Sequence, residues 1–503
     1  MICLLQEDLK KDCKKMRNEE LGMRSGSKRY AITLLSVLLS TGVYAESIDA
    51  DLEGFDDSTG SSQLASTSTT QVAQSNDDMA GFDDASTSSA TDLTSSATDV
   101  TTSEETVTEP AEALSGFTGK LTEQVAYSWH NKAPHDNISS LKSSLLLDYE
   151  HKFENGIRFK TNAKAYYDAI YSLKDRGDFT SKELSELESE VELFDAYLEG
   201  SITDSLDYKV GRQVVVWGRS DTIRVTDVLN PLDNRRPGMV DIEDLRLPVT
   251  MAKFDYFIGD WRVTPIAVLE QRFSKNPPFG GDFYPFPIQA PSNESYNDVT
   301  YALSVGAEFS GWDVNFYAAR LRDDAGYLAL GAKPVFKHDK VNMFGTALNV
   351  LSGSWLFKTE IAHFSGLKYF STGDETFERT DGLVGVEYNG IADTLISYDF
   401  ALRTIHGYDK RLLSEQNPLK KYDYQHAFRV TSDFVNDTVH ANYLISLYGK
   451  HLDEGGFQRA WIKYDVADAI NVNVGVVDYI GGSVLFDAIK DNDMVFADIS
   501  YSF

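Results

Sequence analysis

Apolar and polar residues alternate along most of the chain from about residue 114 onward. In stretches such as 301–309, 355–362 and 439–447, every second position is apolar and most positions between are polar or small. This period of two predicts β-strands with one apolar face. A soluble sandwich of two sheets has the same period, so alternation alone leaves the class of all-β fold open.

The lengths of the connections between the strands distinguish a barrel from a sandwich. Short turn signals such as Asn155-Gly156 alternate along the chain with long connections such as 171–187. Short turns at one rim and long loops at the other are typical of an outer-membrane barrel. Eight short turns and nine longer loops predict 18 strands across residues 114–503, with 16 strands as the alternative.

The last strand supports the same class. Val495, Ala497, Ile499 and Tyr501 share one face, and the chain ends at Phe503. A final strand with a terminal aromatic residue looks like the signal by which outer-membrane barrels are recognised for insertion. The predicted fold is therefore all-β: a transmembrane antiparallel β-barrel of the outer membrane.

Two local patterns add detail to this plan. Pro265 lies inside the strand predicted over 261–270 and removes one backbone donor, so we expect a bulge there. Thr180 and Glu183 have the spacing of a capping box, which predicts a short helix near residues 181–188.

The first 45 residues have the pattern of a secretory signal peptide. Two basic residues precede the apolar run 31–43, which is followed by small residues up to Ala45, the expected cleavage point. The true start is Met1, Met16 or Met23. Both cysteines precede Ala45, so the mature chain has no disulfide, no cysteine nucleophile and no thiolate metal site.

Residues 46–113 are rich in Ser, Thr and Asp, with sixteen acidic residues and no Lys or Arg. So little apolar surface predicts a disordered acidic periplasmic tether. Its repeats 54–57 and 81–84, both Gly-Phe-Asp-Asp, are expected to dock a periplasmic partner, the alternative being a duplicated low-complexity segment. The net charge of −30, without a basic patch, excludes nucleic-acid binding.

The connection 219–247 is the most unusual part of the barrel segment, because it is long, charged and contains arginine but no lysine. Arginine forms fixed forks with carboxylates, which favours a pinned loop folded into the lumen over a mobile surface loop. Such a loop would narrow the pore and set its selectivity through its charges, or those charges would only hold it to the wall. The predicted constriction residues are Arg219, Arg224, Asp227, Arg235, Arg236 and Asp241.

A second long connection, around 273–291, is rich in aromatic residues and proline. It would suit capture of an apolar ligand or contact with lipid, and the alternative is a rigid loop packed on itself. The predicted apolar ligand residues are Phe279, Phe283, Tyr284 and Phe286.

Catalytic chemistry finds little support. The nine histidines are scattered, and neither a zinc-protease helix motif, nor a serine nucleophile elbow, nor a phosphate-binding glycine loop is present. We therefore expect no enzyme activity, no metal and no cofactor. An outer-membrane hydrolase with a site built from distant strands stays a weaker alternative.

One series of motifs lies around the inserted connection and consists of Gly211, Arg212, Gln213, Trp217, Gly218, Asn230, Pro231 and Pro248. This series resembles that of an uncharacterised family of large proteobacterial outer-membrane barrels, a domain of unknown function. The resemblance extends over about 116–503 and implies a porin-like protein that handles lipids, sterols or hydrocarbons, often encoded near an RND-type permease and a second exported protein. It implies no catalytic or ligand residue.

Together these patterns predict an outer-membrane channel or transporter for an amphipathic or hydrophobic solute, with a lumen partly closed by the charged loop. Outer-membrane lipid would surround it, and a periplasmic or RND-type permease partner would bind its Gly-Phe-Asp-Asp repeats. The main alternative is a general porin for small polar solutes.

Overall fold

The computed structural model describes residues 116–240, 242–330 and 333–503. In these ranges, 18 strands form one closed sheet, in which each strand pairs antiparallel with its sequence neighbours and the first pairs with the last. This confirms the predicted barrel and its strand number. The predicted signal peptide, tether and repeats lie outside the described residues, so the expected partner stays a prediction.

The barrel strands, together with a small hairpin formed by β10 and β11, are numbered in chain order. They are β1 (Phe117–Ser128), β2 (Asn137–Lys152), β3 (Arg158–Asp168), β4 (Ser189–Thr203), β5 (Leu206–Gln213), β6 (Val249–Ile258), β7 (Trp261–Val268), β8 (Thr300–Phe309), β9 (Trp312–Arg322), β10 (Tyr327–Ala329), β11 (Val335–Lys337), β12 (Lys340–Ser352), β13 (Trp355–Leu367), β14 (Phe377–Ile391), β15 (Thr394–His406), β16 (Tyr422–Phe434), β17 (Val439–Tyr448), β18 (Gly456–Ala467), β19 (Ile470–Ile480) and β20 (Met494–Ser502).

The outer face of the barrel is built for lipid. Trp261, Trp312 and Trp355 each begin a strand directly after a short turn, and all three are 39–46% exposed, forming part of an aromatic belt at that rim. Farther along the strands, side chains such as Phe344 and Ile462 expose an apolar band. An apolar band with an aromatic belt at its edge is the surface of a protein in the outer membrane.

The predicted terminal aromatic residue, Phe503, contributes to the closure of the barrel between its first and last strands. The backbone amide of Gly119 donates to the carbonyl of Phe503 at 2.7 Å, and the amide of Phe503 donates to the carbonyl of Gly119 at 2.9 Å. The Phe503 ring lies so close over Gly119 that a Cβ there would be 2.4 Å from it. Glycine on β1 therefore makes room for the aromatic that ends the barrel.

The bulge expected at Pro265 is not present, and that prediction was wrong. Pro265 pairs with Leu303 in an uninterrupted ladder between β7 and β8. On its other side the pairing of β6 with β7 skips two positions and resumes in the same register. The missing backbone donor is therefore accommodated by a local gap in one ladder, without an extra residue.

Four short helices lie in the connections. They are α1 (Ile170–Leu173), α2 (Ser181–Leu187), α3 (Ile242–Leu245) and α4 (Val484–Ile489), with 3-10 turns at Arg176–Asp178, Phe370–Thr372 and Lys410–Ser414. The helix expected near 181–188 is confirmed as α2, because the Thr180 hydroxyl accepts the amide of Glu183 at 3.1 Å. Among the described residues, every helix is too short or too polar to span a membrane.

The largest apolar core lies inside the barrel. It joins inward residues of β6–β9 and β12–β16, such as Met251 and Met343, to apolar residues of the connection between β5 and β6, such as Val215 and Ile223. The described part of that connection therefore packs against one half of the inner wall.

Candidate functional site

The connection between β5 and β6, residues 214–248 and here called the inserted loop, is fastened at its own base. The Asn230 side chain accepts the Val215 amide at 2.8 Å and donates to the carbonyls of Gln213 at 3.3 Å and Leu247 at 2.8 Å. Asn230 is 1% exposed. One buried amide thus ties the entry, middle and exit of the loop together.

The clamp on the opposite wall is Glu360 of β13. One carboxylate oxygen accepts the amides of Arg219 at 2.6 Å and Ser220 at 3.0 Å, and the other accepts the amide and hydroxyl of Thr226 at 3.1 and 2.7 Å. Gly218 has a left-handed φ of +99°, and a Cβ there would lie 3.0 Å from this carboxylate. Glu360 therefore fixes the loop backbone by four hydrogen bonds to a charged acceptor.

Two further contacts hold the same part of the loop. Asp399 of β15 accepts the hydroxyls of Ser220 at 2.6 Å and Thr222 at 2.7 Å. The Trp217 ring stacks on Tyr317 of β9 with ring centroids 4.6 Å apart. The first half of the inserted loop is thus attached to three neighbouring regions of one wall.

The second half of the loop reaches the wall formed by β3 and β4. Arg235 donates to Asp233 at 2.8 Å and to Glu190 of β4 at 2.7 Å. Burial disfavours the Arg235 cation, but the hydrogen bond and charge of Asp233 outweigh burial and raise the pKa of Arg235. The same pairing lowers the pKa of Asp233 against the opposing effect of burial. Both groups therefore stay charged.

Residues 235–240, here called the crossing segment, extend from β3 to β19. Arg236 lies 3.4 Å from Asp168 at the end of β3. Immediately afterwards the Pro237 carbonyl accepts the hydroxyl of Tyr479 on β19 at 2.6 Å. The crossing segment thus bridges the inner wall at the level where the strands meet the long loops.

The remaining inner wall is polar and is not filled by the loop. This side of the lumen is here called the passage. Seven polar inward residues of β1–β3, β17 and β19 line it without being fully buried: Lys120, Thr122, Gln124, Ser144, Lys164, Asn442 and Asn473. The lumen is therefore divided into a half packed with apolar side chains and a half lined with polar ones.

An apolar cluster lies at the loop end of the passage. Met239 of the crossing segment packs with Trp461, Tyr479 and Phe496 of the wall and with Phe283 of the β7–β8 connection. The Phe283 and Tyr479 rings are 5.3 Å apart between centroids. The crossing segment therefore covers the passage with an apolar contact as well as a charged one.

The β7–β8 connection also crosses the mouth of the barrel. The Thr180 hydroxyl donates to the Phe279 carbonyl at 2.5 Å, and Asn492 donates to the Asp282 carbonyl at 2.7 Å. Of the predicted apolar ligand residues, Phe283 is 2% exposed in the apolar cluster. Tyr284 lies between Phe279 and Phe286, at centroid distances of 5.5 and 6.0 Å. These rings pack on one another, and their role toward a ligand stays a prediction.

A buried ionisable pair joins two other loops beside the passage. His135, between β1 and β2, lies 2.7 Å from Glu183 of α2, whose carboxylate also accepts the hydroxyl of Tyr171 at 3.3 Å. Burial alone would lower the pKa of His135, but the Glu183 hydrogen bond and the charge of Asp282 raise it above its ordinary value.

This pair predicts a pH-dependent contact between the loops. Because the folded pKa of His135 is raised, its stabilisation is fully present below about pH 6.5 and is lost as the pH rises through the folded value. Limited proteolysis should therefore cut these loops several-fold faster at about pH 8.5 than at about pH 6. His135→Gln should abolish the difference and His451→Gln, at an exposed loop position, should keep it; equal cleavage at both pH values in the wild type would contradict the prediction.

A separate cavity of about 240 Å³ lies between the inserted loop and the wall of β7–β15. Its charged lining is balanced: Arg224, Arg272, Arg322, Arg379 and Arg403 face Asp227, Glu270, Asp323, Asp324 and Asp381. Arg379 holds Asp381 by two hydrogen bonds of 2.8 and 2.9 Å. This cavity is a chamber of paired charges beside the loop.

The predicted constriction residues do not form one ring. Arg219 pairs with Asp313 of β9, and Arg224 pairs with Asp227 at 3.0 Å, both on the filled side. Arg235 and Arg236 pair with the β3–β4 wall, as described above. Asp241 lies outside the described residues. Their charges are engaged by ion pairs at two places, and a role in selectivity stays a proposal.

The residues of the motif series lie at the base of the inserted loop. Gln213 and Asn230 join the ends of the loop, and Trp217 and Gly218 meet the wall, as described above. Gly211 packs so closely on β4 that a Cβ there would be 2.2 Å from the Ala196 carbonyl. Arg212 pairs with Glu270 at 2.9 Å, the Pro231 carbonyl accepts the Leu247 amide at 2.7 Å, and the Pro248 carbonyl accepts Arg272 at 3.1 Å.

Sequence reasoning missed the wall residues that receive the loop. Glu360 and Asp399 are the acceptors with the most loop contacts, and Asp168 meets the crossing segment. The available signal was their position: each is an acidic residue on the inward face of a strand. Among the described residues, no group of three or more His, Cys, Asp or Glu side chains is placed to hold a metal ion.

The chain matches one family model, described as "Protein of unknown function (DUF1302)", over residues 28–503. Among curated proteins, none matches the sequence.

Solved structures with a similar fold include OccK8 (OprE) of Pseudomonas aeruginosa, at 10% identity over 77% of this chain and 98% of that one, with a TM-score of 0.46. OccAB1 of Acinetobacter baumannii is 9% identical over 77% and 95%, with a TM-score of 0.47. A loop-deletion mutant of OmpT, an outer membrane protein of Vibrio cholerae, is 12% identical over 77% and 98%, with a TM-score of 0.36. Each is a likeness in fold only.

Proposed function

Because the chain belongs to the DUF1302 family, whose description states no function, its role has to be argued from the lumen, and we propose that it is a gated outer-membrane channel for amphipathic solutes. In this proposal the crossing segment is the gate, and the passage beside the inserted loop is the route. The barrel itself is porin-like and lies in the outer membrane.

The division of the lumen carries this proposal. A barrel with a purely structural role could be filled on all sides, as small barrels are. Here the inserted loop packs against β6–β16, while the wall around β1–β3 keeps polar side chains that are not fully buried. A polar wall beside a well-packed plug supports a route for solute.

The preference for amphipathic solutes is supported by the neighbourhood of the gate. Trp461 and Phe496 are buried with Met239 at the loop end of the passage, where opening of the gate would uncover them, and Lys142 and Lys164 belong to the polar wall that follows. A solute with one apolar and one polar part would contact both surfaces in turn. The second candidate, a general porin for small polar solutes, is favoured by the length of the polar wall.

Current interruptions in planar bilayers would separate these two candidates. Phenyl glucoside, which adds a ring to a sugar, should occupy the open passage longer than glucose, because an aromatic contact contributes about 0.5–1.5 kcal/mol, or roughly two- to tenfold in residence time. Trp461→Ala should remove most of that difference. Trp355→Ala, on the outer face, is the matched control and should leave it unchanged; equal residence of both solutes in the wild type would favour the general porin.

We propose a channel rather than a hydrolase for a geometric reason. His440, an inward histidine of β17, is held by Asp433 at 2.7 Å and by Asp465 at 3.0 Å, so both ring nitrogens are engaged. An imidazole held in this way has no nitrogen left for a nucleophile or a water. Hydrolysis of a lipid or peptide substrate that disappears in His440→Ala would overturn this part of the proposal.

A further inference from the structure

Positive charge accumulates in the passage directly beneath the crossing segment. Lys142 of β2 has three cationic neighbours, Arg235 and Arg236 of the crossing segment and Lys164 of β3, against the carboxylate of its cross-strand partner Asp168. Asp282 acts on Arg236 from the β7–β8 connection, and Glu192 of β4 is the cross-strand partner of Lys164. Around Lys142 itself, cations therefore outnumber carboxylates.

Further cations lie on the adjoining wall. Asp498 of β20 lies within range of Lys120 of β1, Lys142 of β2 and Arg459 of β18. Asn473 donates to Asp498 at 3.1 Å. Asp498 thus faces cations from three strands, and Lys142 belongs to both groups. Cations gathered in a confined lumen attract anions more strongly than they would in open water.

The contact between Arg236 and Asp168 is suited to exchange. Asp168 already accepts the Ser140 hydroxyl at 2.6 Å and the amides of Leu141 at 2.8 Å and Ile170 at 3.2 Å. Its contact with Arg236, at 3.4 Å, is the longest of the four. Asp168 therefore keeps three donors when Arg236 leaves, and an incoming acceptor needs to replace only this longest contact.

Apolar surface lies next to these charges. Met239 follows Arg236 by three residues, and it packs with Phe283 and Trp461 in the apolar cluster. Arg459 lies over the Trp461 ring, 3.8 Å from its centroid, and so joins the charged and the apolar surfaces. A ligand that carries an anionic group on an apolar body would match both.

We propose that this region is a binding site for an amphipathic oxyanion, a carboxylate or phosphate on an apolar body, and that its binding opens the gate. The oxyanion takes the place of Asp168 as the acceptor for Arg236 and is held by Lys142 and Lys164, while its apolar body displaces Met239. The crossing segment then loses its Arg236 contact with β3, while Arg235 keeps its bonds to the β3–β4 wall. This inference rests on the proposed channel function and names its solute class and its trigger.

The test uses the full chain in planar bilayers with benzoate, inorganic phosphate and benzylammonium as probes. Benzoate should raise the fraction of time spent open, and benzylammonium, a cation of the same shape, should not. If the apolar body of the ligand contributes to binding, inorganic phosphate should need a higher concentration than benzoate to open the gate. Similar effective concentrations would indicate that the site prefers a phosphate headgroup.

Substitutions of the two lysines test where benzoate acts. Lys142→Gln and Lys164→Gln should each raise the half-effective benzoate concentration at least tenfold, equivalent to about 1.4 kcal/mol, because each removes a hydrogen bond between two charged groups. Lys142→Arg keeps the positive charge and should retain the response to benzoate. This conservative variant distinguishes loss of the binding site from loss of the fold. Lys490→Gln, half-exposed at the C-cap of α4, is the matched control.

Two results are decisive in different ways. Variants that conduct and respond to benzoate like the wild type would overturn the binding site and leave the channel function intact. Absence of current from both the intact chain and a chain lacking the crossing segment would overturn the channel function itself, and the binding site with it.

Discussion

Replacement of the crossing segment, residues 235–240, by a Gly-Ser linker of equal length should turn a mostly closed barrel into one that carries steady current. The exchange removes the Arg235 contacts with Asp233 and Glu190, the Arg236 contact with Asp168 and the Met239 contact with the apolar cluster. It retains Asn230 and the four bonds to Glu360, so the rest of the loop stays on its wall. Single-channel recording at fixed voltage measures the effect.

Replacement of the four residues 373–376, an exposed stretch between β13 and β14, by Gly-Ser is the control and should not change the current. A larger deletion, from Thr222 to Arg246, should also raise conductance, but it removes Thr226 and uncovers the apolar wall around Met251. Current of unchanged size in the six-residue exchange would show that the crossing segment lies outside the conducting route.

The barrel was predictable because its signals are local. Alternation within each strand and the contrast between short turns and long loops depend on neighbouring residues, and both survive in the structure as 18 paired strands. The terminal aromatic and the helix cap at Thr180 are equally local. The bulge predicted at Pro265 was wrong because the effect of this proline is not local. It depends on which of the two neighbouring strands loses a hydrogen bond.

The site was less predictable because its contacts join distant parts of the chain. Sequence reasoning selected the arginines of the inserted loop, yet the partners of Arg219 and Arg236 lie on distant strands, at Asp313 and Asp168. An inward polar residue such as Glu360 fits the same alternating sequence pattern whether it faces water or binds a loop. Only the folded register distinguishes these two roles, and it places Glu360 beneath the backbone of Arg219 and Thr226.

Glu360→Ala should release the first half of the inserted loop. The change leaves three backbone amides and one hydroxyl in a site that is 1% exposed without their charged acceptor. Loss of several buried bonds to a charged group should weaken the attachment of the loop by about 3 kcal/mol or more. Hydrogen exchange at Ser220 and Thr226 should accelerate accordingly, by roughly a hundredfold.

Glu360→Gln should give a smaller effect, because an amide keeps one acceptor but brings a donor toward the same amides. Glu378→Ala is the matched control: its side chain is 59% exposed on β14, the strand next to Glu360. Because Asn230 still fastens the base and Arg236 the far end, the barrel should remain folded and the loop should fluctuate rather than leave. Unchanged exchange at Ser220 in Glu360→Ala would mean that Asp399 and the Trp217 stack suffice to hold the loop, and that Glu360 is not the clamp.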